Sequence, residues 1–376
     1  MKECKRCLTR ESEDTITFDA EGICGVCRNV EKKHDGSIDW AARRAELDTI
    51  AAAAKARGDQ YDCLIASSGA KDSTFQVLFA VRELGLRPLI VRYNHWHYRP
   101  QNEENMTNTL KQLGCDFIDV RVNWKIVREM TRVGIERRGD GCVHCHQGVS
   151  VVPLQMALRF KIPLIVFGES LGEYQQWGYT LDGYEEWDEQ RYNRVMSMGL
   201  RPDDMWEIIK DRGFDRRDLM PFEFPAAADI RALGLRAICL GNFIKWDTVA
   251  QVQRIKTELG WKGNVVEGSY EDYDKTECFA QGQRELSKWV KRGTGRSHHL
   301  ANVAIRNGHM TREEGERLRA EHDGKRPQSL TRFLEHIGMT EEDFMETLRS
   351  HAVEPWDERG SNYQTGEPLP DIEKWR

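Results

Sequence analysis

The chain has 376 residues, of which 31% are charged, and a formal net charge of −6 at pH 7. That length allows two or three domains with a substantial core, and the mildly acidic balance excludes a globally basic surface of the kind that binds nucleic acid. No run approaches the roughly 18 apolar residues that span a bilayer, and Met1-Lys2-Glu3-Cys4-Lys5-Arg6-Cys7 lacks the apolar core of a secretion signal, so a cytoplasmic protein is expected. Ten cysteines, with three Cys-x-x-Cys pairs among them, favour metal over disulfides in a reducing compartment.

Residues 1–36 carry Cys4, Cys7, Cys24 and Cys27, two Cys-x-x-Cys pairs sixteen residues apart. Each pair offers two thiolates to one ion, and the spacing predicts a tetrahedral zinc knuckle whose metal supplies most of the segment's stability. The knuckle is either purely structural or also docks on the catalytic domain and touches substrate. Ile38 to Gly58 then predicts an amphipathic helix leading into a nucleotide-binding domain.

The apolar run Cys63 to Ala66 predicts a strand, Ser67-Ser68-Gly69-Ala70 a tight loop, and Asp72-Ser73 the opening of a helix carrying Phe75, Val77, Leu78, Ala80 and Val81. Backbone N–H groups in such a loop face outward at the positive end of the helix dipole, which makes an anion site suited to phosphate. Neither the Walker A spacing nor the dinucleotide fingerprint is present. Ser68-Gly69-Ala70-Lys71-Asp72-Ser73 resembles the Ser-Gly-Gly-x-Asp-Ser loop of the PP-loop ATP pyrophosphatases, which cleave ATP between the α and β phosphates and adenylate a substrate oxygen. Ala70 departs from the family's glycine. A methyl group there costs roughly 1 kcal/mol or more if φ is positive and is harmless if φ is negative. The plainer alternative is a Ser/Gly-rich helix cap with no ligand.

Further strands are predicted at Pro88 to Tyr93, Asp116 to Val122, Ile162 to Gly168 and Leu235 to Leu240, with helices at Glu103 to Leu113, Gln147 to Phe160 and Thr248 to Leu259. This alternation predicts an α/β fold with a doubly wound parallel sheet, ligands sitting at the carboxyl ends of its strands. Strand two ends in Asn94-His95-Trp96-His97, which either frames a ligand or packs under a loop. Glu169 follows the fourth strand and faces the same crevice as the phosphate loop, a candidate for holding Mg²⁺ or a substrate hydroxyl, with Glu173 a weaker one.

Cys142 and Cys145 are placed at a helix N-terminus, where the dipole lowers a thiol pKa. Three readings stand: a second metal site, zinc or an iron–sulfur cluster, completed by a remote ligand such as Cys239 with His144 or His146 as options; a redox or sulfur-carrying dithiol; or two structural cysteines. Residues 172–225, rich in Tyr, Trp, Asp and Glu (Tyr174, Trp177, Tyr184, Trp187) without a clear period, predict an inserted loop or lid. The expected organisation is a knuckle at 1–36, a nucleotide domain at 37–278 holding that insertion, a helical region at 279–354 and an extended tail at 355–376. The basic stretch Lys291 to Arg296 is either a phosphate contact or a solvated turn between helices.

Several segments together resemble one family, the N-acetyl sugar amidotransferases of bacterial surface-polysaccharide (lipopolysaccharide) and nonulosonic-acid pathways. They are the cysteine knuckles, Ser68 to Ser73, Cys142-Val143-His144-Cys145-His146 with Pro153-Leu154-Gln155, Ile162 to Glu169, Leu240-Gly241 with Trp246-Asp247, and Gly295-Arg296 with Ile305 to Glu314. The resemblance spans most of the chain. Ala70 and His298-His299 depart from it.

The resemblance implies ATP-dependent transfer: the acetamido oxygen of an N-acetyl sugar, nucleotide- or carrier-linked forms included, is adenylated and then replaced by ammonia-derived nitrogen. The products are an acetamidino sugar, AMP and pyrophosphate. Ser68, Gly69, Ala70, Lys71 and Ser73 would hold the pyrophosphate, Asp72 with Mg²⁺ would neutralise it, and Lys71, Asp72 and Glu169 would be the catalytic residues. No glutaminase Cys-His signature is evident, so ammonia is expected from a separate glutaminase subunit. A tRNA-thiolating relative of the same superfamily, using Cys142, Cys145 and Cys239 around an iron–sulfur cluster, is the alternative, and net charge argues against its RNA. A non-catalytic nucleotide-binding scaffold disabled by Ala70 is the third.

Overall fold

The computed structural model describes residues 1–13, 15–173, 179–185, 187–357, 366 and 368–375. At the N-terminus two antiparallel bridges, Glu3 with Arg10 and Phe18 with Cys24, close the cysteine loops ahead of α1 (Gly25–Glu31). Helix α2 (Trp40–Arg57) starts where Asp39 accepts from Ala42 N at 2.9 Å and stops at Gly58, within two residues of the expected bounds.

The α/β region follows as β1 (Cys63–Ala66), α3 (Lys71–Arg82), β2 (Pro88–Asn94), α4 (Pro100–Leu113), β3 (Asp116–Arg121), α5 (Trp124–Arg138), α6 (Val143–Arg159) and β4 (Leu164–Phe167). Short helices α7 (Glu189–Arg191), α8 (Pro202–Ile209) and α9 (Ala227–Leu233) lead to β5 (Arg236–Cys239) and α10 (Thr248–Leu259). The five strands form one all-parallel sheet in the order β3-β2-β1-β4-β5. Chain direction across the sheet reverses between β1 and β4, so a crevice opens there at the carboxyl ends. Cys63, Leu64 and Ile65 are all fully buried, because helices cover both faces and a strand so placed shows no alternation. Leu47 of α2, Leu78 of α3 and Ile255 of α10 cover one face. Met130 of α5 and Val152 of α6 cover the other.

The structure departs from expectation in three places. Helix α5 was not expected, and α6 begins at Val143 rather than Gln147, so that Cys142 is its cap and Cys145 lies in its first turn. Tyr174 and Trp177 lie outside the described residues, but the rest of 172–225 is no loose lid. Met205 and Ile209 of α8, with Leu219 and Phe222 of the next turn, are fully buried in the core beside α5 and α6. The end of the chain is not a free arm either: Leu369 and Trp375 are buried, and Asp371 pairs with Arg99 at 2.6 Å.

The last region comprises α11 (Gln281–Arg292), α12 (Arg296–Arg306), α13 (Arg312–His322), α14 (Ser329–Ile337) and α15 (Glu341–Ser350). Leu286, Phe333, Phe344 and Leu348 build its core, to which Ile135 of α5 is joined. Helices α12 and α13 hold the knuckle: Leu8 N donates to Asn302 Oδ1 at 2.6 Å, Arg312 to Cys4 O at 2.7 Å, and Arg319 pairs with Glu3 at 2.6 Å. No described helix is long and apolar enough to cross a membrane.

Candidate functional site

The loop from Ser67 to Ala70 leaves β1 at the strand-order reversal and enters α3. Gly69 has φ +81, and a Cβ there would stand 3.1 Å from Asn102 O and 3.2 Å from Met106 Cβ, so both conformation and space demand glycine. Ala70 has φ −74 and ψ 174, extended backbone that any residue adopts, and its methyl is harmless. Loop hydroxyls occupy the loop's own amides: Ser73 Oγ accepts from Ser68 N at 3.1 Å and Ser68 Oγ from Ala70 N at 3.3 Å. Trp261 Nε1 donates to Gly69 O at 3.0 Å and fixes the loop from the end of α10.

Lys71 is buried at the start of α3, its Nζ 2.5 Å from Asp72 Oδ2 and 2.9 Å from Asp274 Oδ1. Asp72 Oδ1 is buried with no hydrogen-bond partner, a lone acceptor of the kind that a divalent cation satisfies. Glu169 stands opposite. Burial pushes its carboxyl up to about 7, the Asp72 carboxylate adds to the rise, and Lys71 opposes it. The three catalytic candidates thus act on one another across the crevice.

Asp274 and Glu285, which the sequence did not single out, complete this site together with Arg296 of the basic stretch. Asp274 bridges Lys71 and Arg296, the latter at 2.9 Å, and Arg296 reaches Glu285 at 2.7 Å. Burial would raise the Asp274 carboxyl, but Lys71 and Arg296 outweigh it and hold it well below the usual range. Arg296 is therefore not a solvated turn residue: it opens α12 and is 3% exposed. Lys275 has φ +58, strained for a residue with a side chain, and its charge acts on Glu169, Asp274 and Cys145. The acidic segment Glu271-Asp272-Tyr273-Asp274 carries no periodicity or motif that would have marked it.

The second cysteine group differs from its expected form. Cys239 ends the edge strand β5, where Trp187 Nε1 donates to its Sγ at 3.4 Å. Cys142 and Cys145 stand by β2, since His144 between them meets Tyr93 Oη at 3.0 Å. Three strand spacings separate β2 from β5, about 14 Å at ~4.8 Å each, so Cys239 does not join the pair. The thiol whose ionisation Cys142 and Cys145 oppose is Cys278, just ahead of α11. Nor does the helix dipole lower these thiols. Burial, then Glu277, pushes Cys145 up to about 12, and burial with Asp140 raises Cys142 as well. His95 and His97 are likewise buried and neutral, burial pushing His95 down to about 3 and His97 well below the ordinary imidazole value.

Cys4, Cys7, Cys24 and Cys27 are all buried, with sulfurs within 4.8 Å of one another, and among the described residues this is the one group of three or more such ligands that converges. Sγ separations are 3.9 Å for Cys4 to Cys27 and 3.7 Å for Cys7 to Cys24, compatible with a shared tetrahedral ion. Arg306 of α12 points a guanidinium at Cys7 Sγ from 3.6 Å. Lys33, just past α1, pairs with Glu173 at 2.9 Å, both side chains buried, so Glu173 anchors the knuckle.

Two outcomes follow from this geometry. Cys24→Ser should bring bound metal close to zero by elemental analysis and lower the melting temperature by several degrees, while Cys63→Ser, a buried thiol outside the cluster, should keep its metal. For Ala70→Gly, better capping by glycine opposes its backbone entropy of about 0.5–1 kcal/mol. Its urea midpoint and rate of ATP cleavage should match those of the parent within about twofold in rate, and a large gain would show that the methyl obstructs the loop.

Residues 267–368 match the family described as the C-terminal domain of WbpG-like LPS biosynthesis proteins, a span that contains Asp274, Lys275, Cys278, Glu285 and Arg296. A protein of Methanocaldococcus jannaschii, "Uncharacterized protein MJ1599", is 23% identical over 169 residues, 45% of this chain and 59% of the relative, so the chain spans well under two thirds of that protein's length.

Proposed function

We propose that the chain is an ATP-dependent amidotransferase that converts the acetamido group of an N-acetyl sugar into an acetamidino group. The observation that carries this is the loop at the strand-order reversal, where Lys71 pairs with Asp72 at 2.5 Å, Asp72 Oδ1 is buried and unpartnered, and burial with the Asp72 charge raises the Glu169 carboxyl. The LPS biosynthesis match over residues 267–368 is consistent with a sugar-modifying role.

An amide carbonyl is a poor electrophile. In the proposed reaction the acetamido oxygen attacks the α-phosphorus of ATP, the α–β bridging bond breaks, and pyrophosphate leaves. The resulting O-adenylyl imidate is attacked at carbon by ammonia, and C–O cleavage expels AMP and leaves the amidine. Lys71 and the Ser68 and Ser73 hydroxyls would hold the departing pyrophosphate, joined by the loop amides once those hydroxyls turn from the amides to the phosphate. Asp72 and Glu169 would hold Mg²⁺, which supplies charge neutralisation at the phosphates. Ammonia comes from a separate glutaminase subunit.

A sulfur-transfer reading keeps one supporting observation, the neighbourhood of Cys142, Cys145 and Cys278. Ala70, being extended, gives no support to a disabled scaffold.

The test is pyrophosphate release by the purified chain with ATP, Mg²⁺, ammonium and N-acetyl sugars. Release that requires sugar and ammonium supports the proposal, and AMP formation only with tRNA would sink it. Because the Glu169 carboxyl is protonated below about 7, its metal-holding form fills as pH rises, so kcat/KM should climb through about pH 7. Glu169→Gln should lower it at least a hundredfold and remove that climb.

A further inference from the structure

A pocket of about 580 Å³, open mouth included, lies beside the phosphate loop where the knuckle, the sheet and the C-terminal helices meet. Lys71 and Asp274 line it, and so do Lys33 and Glu173. Both lysines are matched by buried carboxylates, Lys71 by Asp274 and Lys33 by Glu173, each pair at 2.9 Å. The pocket therefore offers fixed hydrogen-bonding groups with little net charge.

The rest of the lining supplies what a pyranose uses, aromatic surface and polar groups. Trp246 and Tyr273 give the first, and His299 and Asn307 of α12 contribute to the second. Trp246 is 2% exposed, and its Nε1 has no hydrogen-bond partner among the described residues, a buried donor without an acceptor there. His299 is kept neutral by burial and by Arg296, so it can both donate and accept. The adjacent histidines thus divide: His298 meets Glu13 of the knuckle at 3.0 Å, and His299 lines the pocket. Tyr273, Asp274, His299 and Asn307 all fall in the span matched to the LPS biosynthesis family.

We propose that this pocket is the sugar site, taking the uncharged pyranose of an acetamido sugar with its acetamido group toward Lys71 and any phosphate carrier outside. The assignment rests on the amidotransferase reading and adds to it the residues that select the substrate. Lys33 makes the knuckle part of the substrate wall, since its Nζ also lies 3.3 Å from Asn307 Oδ1.

The test uses the full chain and two variants of half-buried α12 positions, Ala304→Trp to fill the pocket and Asn307→Ala to remove a polar group without adding bulk. Binding of the methyl glycosides of N-acetylglucosamine, N-acetylgalactosamine and N-acetylmannosamine is followed by saturation-transfer NMR, and binding of a non-hydrolysable ATP analogue by calorimetry. The expected result is at least tenfold weaker sugar binding in Ala304→Trp and a smaller loss in Asn307→Ala, with analogue affinity within twofold of the parent. If both variants bind sugar like the parent while the parent releases pyrophosphate with acetamido sugar and ammonium, the sugar site lies elsewhere and the reaction stands. If analogue binding falls instead, the pocket belongs to the nucleotide. If the parent binds the analogue but neither binds nor turns over any acetamido sugar, the reaction and the pocket assignment fall together.

Discussion

A line of buried ion pairs, Lys71 to Asp274 to Arg296 to Glu285, holds the site together. It joins α3 of the α/β region to the segment before α11 and to α11 and α12 themselves. Buried pairs of this sort are weak sources of net stability, because desolvation consumes most of the Coulombic gain. Their value is positional. Each charge has a partner of opposite sign at hydrogen-bonding distance, and any shift of the C-terminal helices against the sheet would strand one of them. Lys71 and Arg296 consequently keep a fixed spacing although they lie more than 200 residues apart in sequence.

Burial decides the acid–base character of the site more than helix dipoles do. Cys145 lies in the first turn of α6, where the dipole favours thiolate, yet its thiol is pushed up to about 12. Glu169 rises for the same reason, helped by Asp72 across the crevice. The Asp72 charge opposes ionisation of the buried Glu169 carboxyl, and a divalent cation beside it would offset that opposition. That is the chemical sense of an unpartnered Asp72 oxygen so near Glu169.

Much of the fold was legible because it rests on local patterns. Strand runs such as Pro88 to Tyr93 and the helix Thr248 to Leu259 announce themselves by apolar spacing and by Gly260 at the end, and the cysteine spacing announced the knuckle. The loop motif marked the turn from β1 into α3, but not that Ala70 is extended. Asp274 and Lys275 were out of reach, since their importance arises from contacts across long sequence separations and their local context reads as a polar turn; Arg296 stood in a basic stretch weighed as a phosphate contact, but its partners Asp274 and Glu285 were not visible there. Cys239 was misplaced as a partner of Cys142 for the same reason: strand order in the sheet is a tertiary property, and a cysteine near the end of a predicted strand carries no label saying which edge it occupies.

The knuckle's attachments also set an order of assembly. Leu8 is held by Asn302, 294 positions later, and Cys4 O and Glu3 by Arg312 and Arg319. A ribosome makes the first seven residues long before these anchors exist. The N-terminal thiols can gather around a metal as soon as Cys27 emerges, yet the surface they dock on is completed only when α12 and α13 leave the tunnel. Contacts that distant in sequence form slowly, so the earliest part of the chain gains its docking surface only after α12 and α13, near the far end, have been made.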